Sequence, residues 1–514
     1  MTPILIFLCD ELRADCLGCY GNSDIDTPNI DRFAGEAVRF ENAFASAPVC
    51  VPSRTSMATG LYPGSHGALD NSLRTDRPDL TWYNLLRQMG YSTHNYGKLH
   101  VNWHAGREDQ DRFGMDETVG FPDARGVGYD KPEDYGRAME YKRLRGYLPL
   151  LIYGEQPGKL EDMEPYRVVR AAADRIDALV ADGRDFAMVT STNWPHSPYI
   201  APQPYYGRYQ DADIEPFYFR SALASRPRQQ QFYYYEAGMD LLTEHELRKS
   251  QASYYGRIAA MDGAFGHWLD RLKRSGIYDD ALVIFVADHA TCLGEHGFIH
   301  KVGYLFDATL RVPLLIKPPG NDHAGEVREG LVELIDLYPT ILELIGRPGM
   351  IPSHVQGSSL VPVMKGDADG KDAVFAEWFE GSVTRRPARM VRTADYKLTL
   401  YPDGEFTRGN ACAHGFARFS DLWVLASPEG ELYDLRDDPR EQHNRFDDPA
   451  YAEIRKDLTA KIKQWEEQYV MVDYRSVMPE PGKVWTVMRL MEGKNLSRLS
   501  LSVRETPDRT RPFE

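Results

Sequence analysis

The chain has 514 residues, of which 42% are hydrophobic and 26% are charged, the composition of an ordinary globular protein and not of a disordered or fibrous one. Its length exceeds what one hydrophobic core usually supports, so we expect one large domain and a smaller one. Sixty Lys and Arg residues against 76 Asp and Glu residues give a net charge of −16, which argues against nucleic acid as a partner and against a basic membrane-binding face.

The N-terminus and the cysteines suggest the compartment. The apolar run at residues 1–8 has no basic stretch before it and no small-residue cleavage site, so we do not expect it to be a signal peptide. No segment has the apolar length that a transmembrane helix needs. The six cysteines are too sparse for a disulfide scaffold, and we therefore expect free thiols and a cytoplasmic location. They are Cys9, Cys16, Cys19, Cys50, Cys292 and Cys412.

Short apolar runs alternate with amphipathic segments over residues 1–370, which we predict to form the larger domain. Residues 166–181 carry apolar side chains at helical spacing. Strands that alternate with helices predict an α/β sandwich with a central, mostly parallel or mixed sheet flanked by helices. The predicted buried strands are residues 4–9, 186–190, 282–287 and 312–316.

The pattern changes after about residue 370. Shorter runs and an amphipathic helix near residues 451–469 predict a smaller α+β domain over residues 371–475. The tail, residues 476–514, has little core-forming pattern, and we expect it either to wrap around another subunit of a homo-oligomer or to stay mobile. The irregular, aromatic-rich segments 104–165 and 200–250 are candidate lids, although most of their rings are expected to pack against the core.

Acidic side chains follow two of the predicted strands. Asp10 and Glu11 come after the first strand, and Asp288 and His289 come after residues 282–287. Alone, each pair is usually a cap or a turn. Because ligands bind beyond the carboxyl ends of strands in such sheets, the two pairs together with the Cys-Val-Pro-Ser-Arg segment at residues 50–54 predict a site for one divalent metal. Carboxylates favour Ca²⁺, and the imidazole makes Mn²⁺ the alternative.

Cys50 begins the segment Cys-Val-Pro-Ser-Arg, which reads as a turn leading into a helix. A lone cysteine is usually a small buried apolar residue. Here the first N–H groups of the helix and Arg54 can point at one spot, which makes an anion site. The segment therefore indicates that Cys50 has a functional role at an anion site and is not merely a buried apolar residue.

This segment resembles the signature of the type I, formylglycine-dependent sulfatases of the alkaline phosphatase superfamily. Further segments resemble those of the family in the same order over most of the chain, and this shared order carries the resemblance. They are residues 27–32, 97–100, 195–198, 288–297 with Lys301, 336–340 and 431–435. The resemblance implies an alkaline-phosphatase-like sandwich and hydrolysis of a small-molecule or saccharide sulfate ester.

The resemblance also implies how the nucleophile works. A separate formylglycine-generating enzyme would oxidise Cys50 to an aldehyde, and one hydroxyl of its hydrated diol would attack sulfur. Arg54 would orient the diol, and Asp288 would assist its deprotonation while binding metal. His100 would take the proton of the second hydroxyl when sulfate is expelled.

The remaining implied roles concern the sulfate group and the metal. Lys98, His196 and Lys301 would hold the sulfate oxygens, and His196 or Lys301 would protonate the leaving oxygen. The implied metal ligands are Asp10, Glu11, Asp288, His289 and the matured Cys50.

Two positions depart from the common family pattern. Glu11 stands where the family commonly has a second Asp, and His289 stands where many arylsulfatases have Asn. An Asp-His pair with a Lys twelve residues beyond resembles iduronate and choline sulfatases and phosphonate monoester hydrolases. Hydrolysis of phosphonate monoesters or phosphodiesters is therefore the alternative, and the Lys98-x-His100 pair favours the sulfatase. An inactive metal-binding scaffold is disfavoured because the implied catalytic set is intact.

Overall fold

The computed structural model describes most of the chain. The described residues are 1–71, 73, 75, 77–101, 112–120, 153–210, 212–219, 226–227, 230, 234, 239, 242–301, 304–379, 388–401 and 430–469. Cys412, the tail 476–514 and parts of both aromatic-rich segments lie outside these residues. None of the helices that the structure describes combines the length and apolar character of a membrane-spanning segment.

The described elements alternate between strands and helices, as predicted. The strands are β1 (Ile4–Asp10), β2 (Val38–Phe44), β3 (Ser92–Gly97), β4 (Glu117–Val119), β5 (Tyr153–Glu155), β6 (Phe186–Pro195), β7 (Tyr199–Ala201), β8 (Leu282–Ala287), β9 (Cys292–Leu293), β10 (Ile299–His300), β11 (Arg311–Lys317), β12 (Val327–Glu333), β13 (Val374–Trp378), β14 (Ala388–Arg392), β15 (Tyr396–Leu400) and β16 (Gly430–Asp434). The helices are α1 (Pro28–Ala34), α2 (Cys50–Thr59), α3 (Pro63–His66), α4 (Trp82–Gln88), α5 (Glu164–Ala181), α6 (Tyr205–Gln210), α7 (Glu244–Arg274), α8 (Asp307–Leu310), α9 (Leu337–Leu344), α10 (Val361–Met364) and α11 (Ala452–Tyr469).

A central sheet of eight strands has the order β12-β2-β11-β8-β1-β6-β3-β4. Strand β1 pairs in parallel with β6 and β8, and β3 pairs in parallel with β6 and β4. Strand β11 runs antiparallel to both of its neighbours. The predicted mostly parallel sheet flanked by helices is confirmed.

Burial of both faces explains why β1 and β8 read as unbroken apolar runs. Every residue of these two strands is buried. The Phe7 ring on β1 lies 5.0 Å from Phe265 and 5.5 Å from Trp268, both on α7, and 5.9 Å from Phe285 on β8. These aromatic contacts join the sheet to the helix that covers it.

Part of the segment predicted to be irregular, residues 200–250, is helical. Helix α7 begins with a capping box, in which the Thr243 hydroxyl accepts from the Glu246 N–H at 3.3 Å and the Glu246 carboxylate accepts from the Thr243 N–H at 2.8 Å. The start signal lies in residues 243–246, within the segment. The many aromatic residues earlier in the segment suggested an irregular structure throughout, although Thr243 and Glu246 have the spacing of a helix start.

The described C-terminal residues form a separate antiparallel sheet in the order β13-β14-β15-β16. Leu458 and Ile462 of α11 pack against Val391, Leu398 and Leu432 on this sheet. The predicted α+β character is confirmed. All described residues belong to one compact unit, Met1–Val472, and the boundaries 1–370 and 371–475 stay predictions.

The sheet brings four chain segments to one edge. Because β1, β3, β6 and β8 are parallel, their carboxyl ends lie on the same side, and each is followed by polar residues of the predicted site. Gly97 ends β3 with φ of 99°, and a Cβ there would lie 1.7 Å from the Ser191 carbonyl oxygen. Only glycine permits this close approach, which places Lys98 beside β6.

Candidate active site

Four ligand atoms cluster at the carboxyl edge of the sheet. They belong to Asp10, Cys50, Asp288 and His289, all buried, and lie within 4.8 Å of one another. The Cys50 sulfur is 3.1 Å from His289 Nε2 and 3.6 Å from Asp10 Oδ1. These four residues were predicted as metal ligands, and the fold brings them together.

The chemistry of this set fits a divalent cation. Burial and the neighbouring Asp10 carboxylate raise the pKa of Asp288, a repulsion that a bound cation would remove. His289 Nδ1 lies 3.0 Å from the Ala290 carbonyl oxygen, to which it can donate. In that tautomer the Nε2 lone pair faces the cluster, as metal-binding imidazoles require.

Cys50 is the first residue of α2, and its thiol lies in a positive environment. Burial alone would raise the pKa of the thiol, but Lys301, Lys98 and His289 outweigh that effect and hold the pKa well below its ordinary value. The protein therefore stabilises negative charge at this position. The N-terminus of α2 contributes in the same direction.

Arg54 joins helix α2 to the strand ends. Its Nε donates to Asp288 Oδ2 at 2.6 Å, and its Nη1 donates to the Lys98 carbonyl at 2.7 Å and to Ser191 Oγ at 2.9 Å. Among the described residues, no hydrogen-bond partner faces its buried Nη2. This donor is available to a bound group beside Cys50.

Lys98 and His100 approach Cys50 from the loop after β3. The Lys98 ammonium contacts Asp10 and lies 3.5 Å from the Cys50 sulfur. His100 is hydrogen-bonded to Cys50, and burial followed by the Lys98 charge lowers the pKa of His100 to about 4. A neutral imidazole thus faces the Cys50 side chain at neutral pH.

Glu11 stands apart from the four-ligand cluster and belongs to a second group, here called the Glu11 cluster: Glu11, His196, Tyr199, His300 and Lys301. The Glu11 carboxylate contacts the Lys301 ammonium, and its Oε2 lies 3.2 Å from His196 Nε2. Its Oε1 accepts from the Tyr199 hydroxyl at 3.2 Å and lies 3.5 Å from His300 Nδ1.

The electrostatics of Glu11 follow from these contacts. Burial would raise the pKa of its carboxyl, but Lys301 and then His196 lower it well below its ordinary value. His196 also faces a second acceptor, because its Nδ1 lies 2.7 Å from the Ser197 carbonyl oxygen.

Sequence analysis missed two members of the Glu11 cluster, Tyr199 and His300. The available signal was their position, since His300 directly precedes Lys301 and Tyr199 follows His196 by three residues. Every predicted site residue lies in one of the two groups or contacts a member of one of them. The metal-binding role predicted for Glu11 stays a prediction.

Comparison with known families gives two matches. The family model Sulfatase matches residues 3–347. The model N-sulphoglucosamine sulphohydrolase, C-terminal, matches residues 294–406.

Individual relatives span nearly the whole chain. The multifunctional alkaline phosphatase superfamily protein PehA of Trinickia caryophylli is 29% identical, over 92% of this chain and 97% of that protein. The N-acetylglucosamine-6-O-sulfatase of Bacteroides thetaiotaomicron is 25% identical, over 91% of this chain and 86% of that protein. The phosphonate monoester hydrolase of Agrobacterium radiobacter shares the fold, with a TM-score of 0.68, 24% identity and coverage of 91% and 96% of the two chains.

The four-ligand cluster predicts one metal ion per chain. Elemental analysis of purified protein should give about one divalent ion, and Asp10→Asn should lower the content several-fold because it removes a charged oxygen ligand. Asp262→Asn is the matched control, since Asp262 is a buried carboxylate that instead accepts N–H bonds at the start of α1. Two tightly held ions, or an unchanged content in Asp10→Asn, would contradict the assignment.

Proposed function

The chain belongs to the sulfatase family, and from this we propose that it hydrolyses a sulfate monoester with a formylglycine diol made from Cys50 and with one divalent metal. One observation carries the proposal. The buried Cys50 side chain lies at the start of a helix among Lys98, Lys301 and His289. Arg54 of the same helix has a buried Nη2 with no hydrogen-bond partner among the described residues. Such a site stabilises an anionic group in a transition state.

The metal would be held by Asp10, Asp288, His289 and an oxygen of the matured Cys50. When bound, it supplies positive charge next to the nucleophile and the sulfate oxygens. Two carboxylates favour Ca²⁺, and the imidazole keeps Mn²⁺ as the alternative. The Glu11 carboxylate, a further ligand that the family pattern implies, contacts the Lys301 ammonium in this structure.

The first chemical step transfers the sulfuryl group. In the proposed mechanism Arg54 orients the diol, and Asp288 assists removal of a proton from one hydroxyl, whose oxygen attacks sulfur. The ester S–O bond breaks, and His196 or Lys301 gives the leaving alcohol its proton. Lys98, with the same His196 and Lys301, holds the charged sulfate oxygens.

The second step releases sulfate. His100 is suited to accept the proton of the remaining hydroxyl because burial and Lys98 lower its pKa to about 4, so that the imidazole is neutral. The aldehyde C=O re-forms while the C–O bond to sulfate breaks. Addition of water then restores the diol.

Relatives guide the choice of substrate class. The relative from Bacteroides thetaiotaomicron is an N-acetylglucosamine-6-O-sulfatase, which supports a saccharide sulfate ester for this chain, with a small-molecule sulfate ester as the broader class. Maturation would require a formylglycine-generating enzyme as a partner. A cytoplasmic location and a homo-oligomer stay predictions.

Hydrolysis of phosphonate monoesters or phosphodiesters is the second candidate. It is favoured by the likeness to PehA, a multifunctional protein, and by the shared fold of a phosphonate monoester hydrolase. The close approach of both Lys98 and His100 to Cys50 favours sulfate, since this pair is the one expected of a sulfatase.

Turnover of an aryl sulfate and an aryl phosphonate monoester with the same leaving group tests the proposal. On protein co-expressed with a formylglycine-generating enzyme, we expect kcat/KM to be at least about tenfold higher for the sulfate, equal to about 1.4 kcal/mol. The reverse ratio would select the second candidate. No turnover of any sulfate ester by fully matured, metal-loaded protein would refute the proposed function.

Modification of Cys50 is a separate prediction. The lowered pKa of the thiol makes direct attack by a thiolate the rival mechanism, but that intermediate has no second hydroxyl with which to expel sulfate. Mass spectrometry of the peptide that contains Cys50 should show the aldehyde in a fraction that tracks specific activity. Cys50→Ala should be inactive, and Cys50→Ser should react once and stall. Full activity in preparations that contain only the thiol would disprove the mechanism.

Substitution of His100 should separate the two chemical steps. In His100→Ala the attack on sulfur remains possible while expulsion slows by about 10²-fold or more, so we expect a burst of alcohol followed by little turnover. Mass spectrometry should detect the sulfated protein. His94→Ala is the control, because His94 is a buried imidazole on β3 that instead pairs with Glu117. Loss of activity without a burst or an adduct would assign His100 to binding.

A further inference from the structure

The carboxylate of Glu11 is not part of the four-ligand cluster, although the residue follows Asp10 directly. Its backbone has φ of 67°, a left-handed conformation that is uncommon for a residue with a side chain. The Glu11 N–H donates to Asp288 Oδ1 at 3.1 Å, and the Glu11 carbonyl accepts from the Tyr254 hydroxyl at 2.6 Å. Both backbone groups are thus held, and together they set the direction of the carboxylate.

We propose that Glu11 is a positioning residue for the leaving-group side of the site and not a metal ligand. The proposal rests on the sulfate ester hydrolysis proposed above. In it, the Glu11 carboxylate holds Lys301 and His196 where they meet the ester oxygen, and the Tyr199 hydroxyl and the His300 ring hold the carboxylate in turn.

Charge balance supports this role. The Lys301 side chain is only 7% exposed and Glu11 is fully buried, so the two form a buried ion pair. Both oxygens of Glu11 are engaged outside the four-ligand cluster, Oε2 by Lys301 and His196 and Oε1 by Tyr199 and His300. Asp10 and Asp288 differ, because each contacts its cation through Oδ2 and keeps Oδ1 on the side of the cluster. The four-ligand cluster already supplies two carboxylates and an imidazole without Glu11.

The contact with Glu11 leaves donors of Lys301 free to bind the substrate. An ammonium has three N–H donors, so Lys301 can keep one on Glu11 and offer others to the substrate. The His300 ring stacks on Tyr199 with centroids 5.9 Å apart and planes inclined by 21°, which confines the side of Glu11 that faces away from Lys301. The carboxylate is therefore fixed from both sides.

This role predicts an effect that depends on the leaving group. An alkyl or saccharide alkoxide is a poor leaving group and needs a well-placed proton donor, whereas 4-nitrophenolate leaves readily without one. Loss of the positioning carboxylate should therefore affect alkyl sulfates far more than activated aryl sulfates. A metal ligand would affect both, because it acts on the nucleophile and the sulfate group common to all the esters.

The test is Glu11→Gln in fully matured, metal-loaded protein. We expect the metal content to stay at about one ion per chain. For an alkyl sulfate, kcat should fall by about 10²-fold or more, and for 4-nitrophenyl sulfate by less than about tenfold. Glu333→Gln is the matched control, since Glu333 is a buried carboxylate that holds Lys371 outside the site, and kcat should not change for either ester.

Either of two outcomes for Glu11→Gln would overturn the proposal. Loss of metal from Glu11→Gln to the extent seen in Asp10→Asn would show that Glu11 is a ligand. An equal fall in kcat for both esters would show that its role is merely structural.

If Glu11→Gln does not fold, Tyr199→Phe removes one donor to the same carboxylate without a change in charge. It should retain metal and show a smaller loss of the same leaving-group dependence, and the absence of that dependence would also overturn the proposal. Failure of the wild-type protein on all sulfates would refute the proposed function instead, while the metal content would still decide whether Glu11 is a ligand.

Discussion

Pairing of buried charges is the constraint on which the site depends. Three cations surround the Cys50 side chain, and each contacts a carboxylate that is fully buried. The pairs are Arg54 with Asp288, Lys98 with Asp10 and Lys301 with Glu11. A buried charge is costly without its partner, so each pair holds together the two chain segments that carry its residues. The anion site is therefore already formed before substrate binds.

The parallel strands explain why so much of this arrangement was visible in the sequence. Asp10 and Asp288 each follow a long buried run, and such runs are the clearest strand signals. Parallel neighbours place their carboxyl ends together, so the meeting of these two carboxylates could be predicted without coordinates. Cys50 could be placed because its segment reads as the start of a helix that would bind an anion.

Other features depend on information that side-chain patterns do not carry. Glu11 looks like a second acidic ligand in the sequence, and only its left-handed backbone turns it toward Lys301. His300 lies in β10, a strand of two residues, and Tyr199 lies in β7, a strand of three residues. Runs so short show no periodicity, so neither residue could be assigned to the site from the pattern alone.

The same left-handed backbone recurs around the site, where Glu11, His100 and His300 have φ of 67°, 45° and 64°. A residue with a Cβ in this conformation costs the folded state on the order of 1 kcal/mol relative to glycine, which adopts it freely. If only the stability of the folded state mattered, glycine would be the favoured residue at these positions. These positions instead carry an acid and two imidazoles of the site, so glycine there would gain stability only by removing those side chains. Stabilising this protein by design should therefore begin elsewhere.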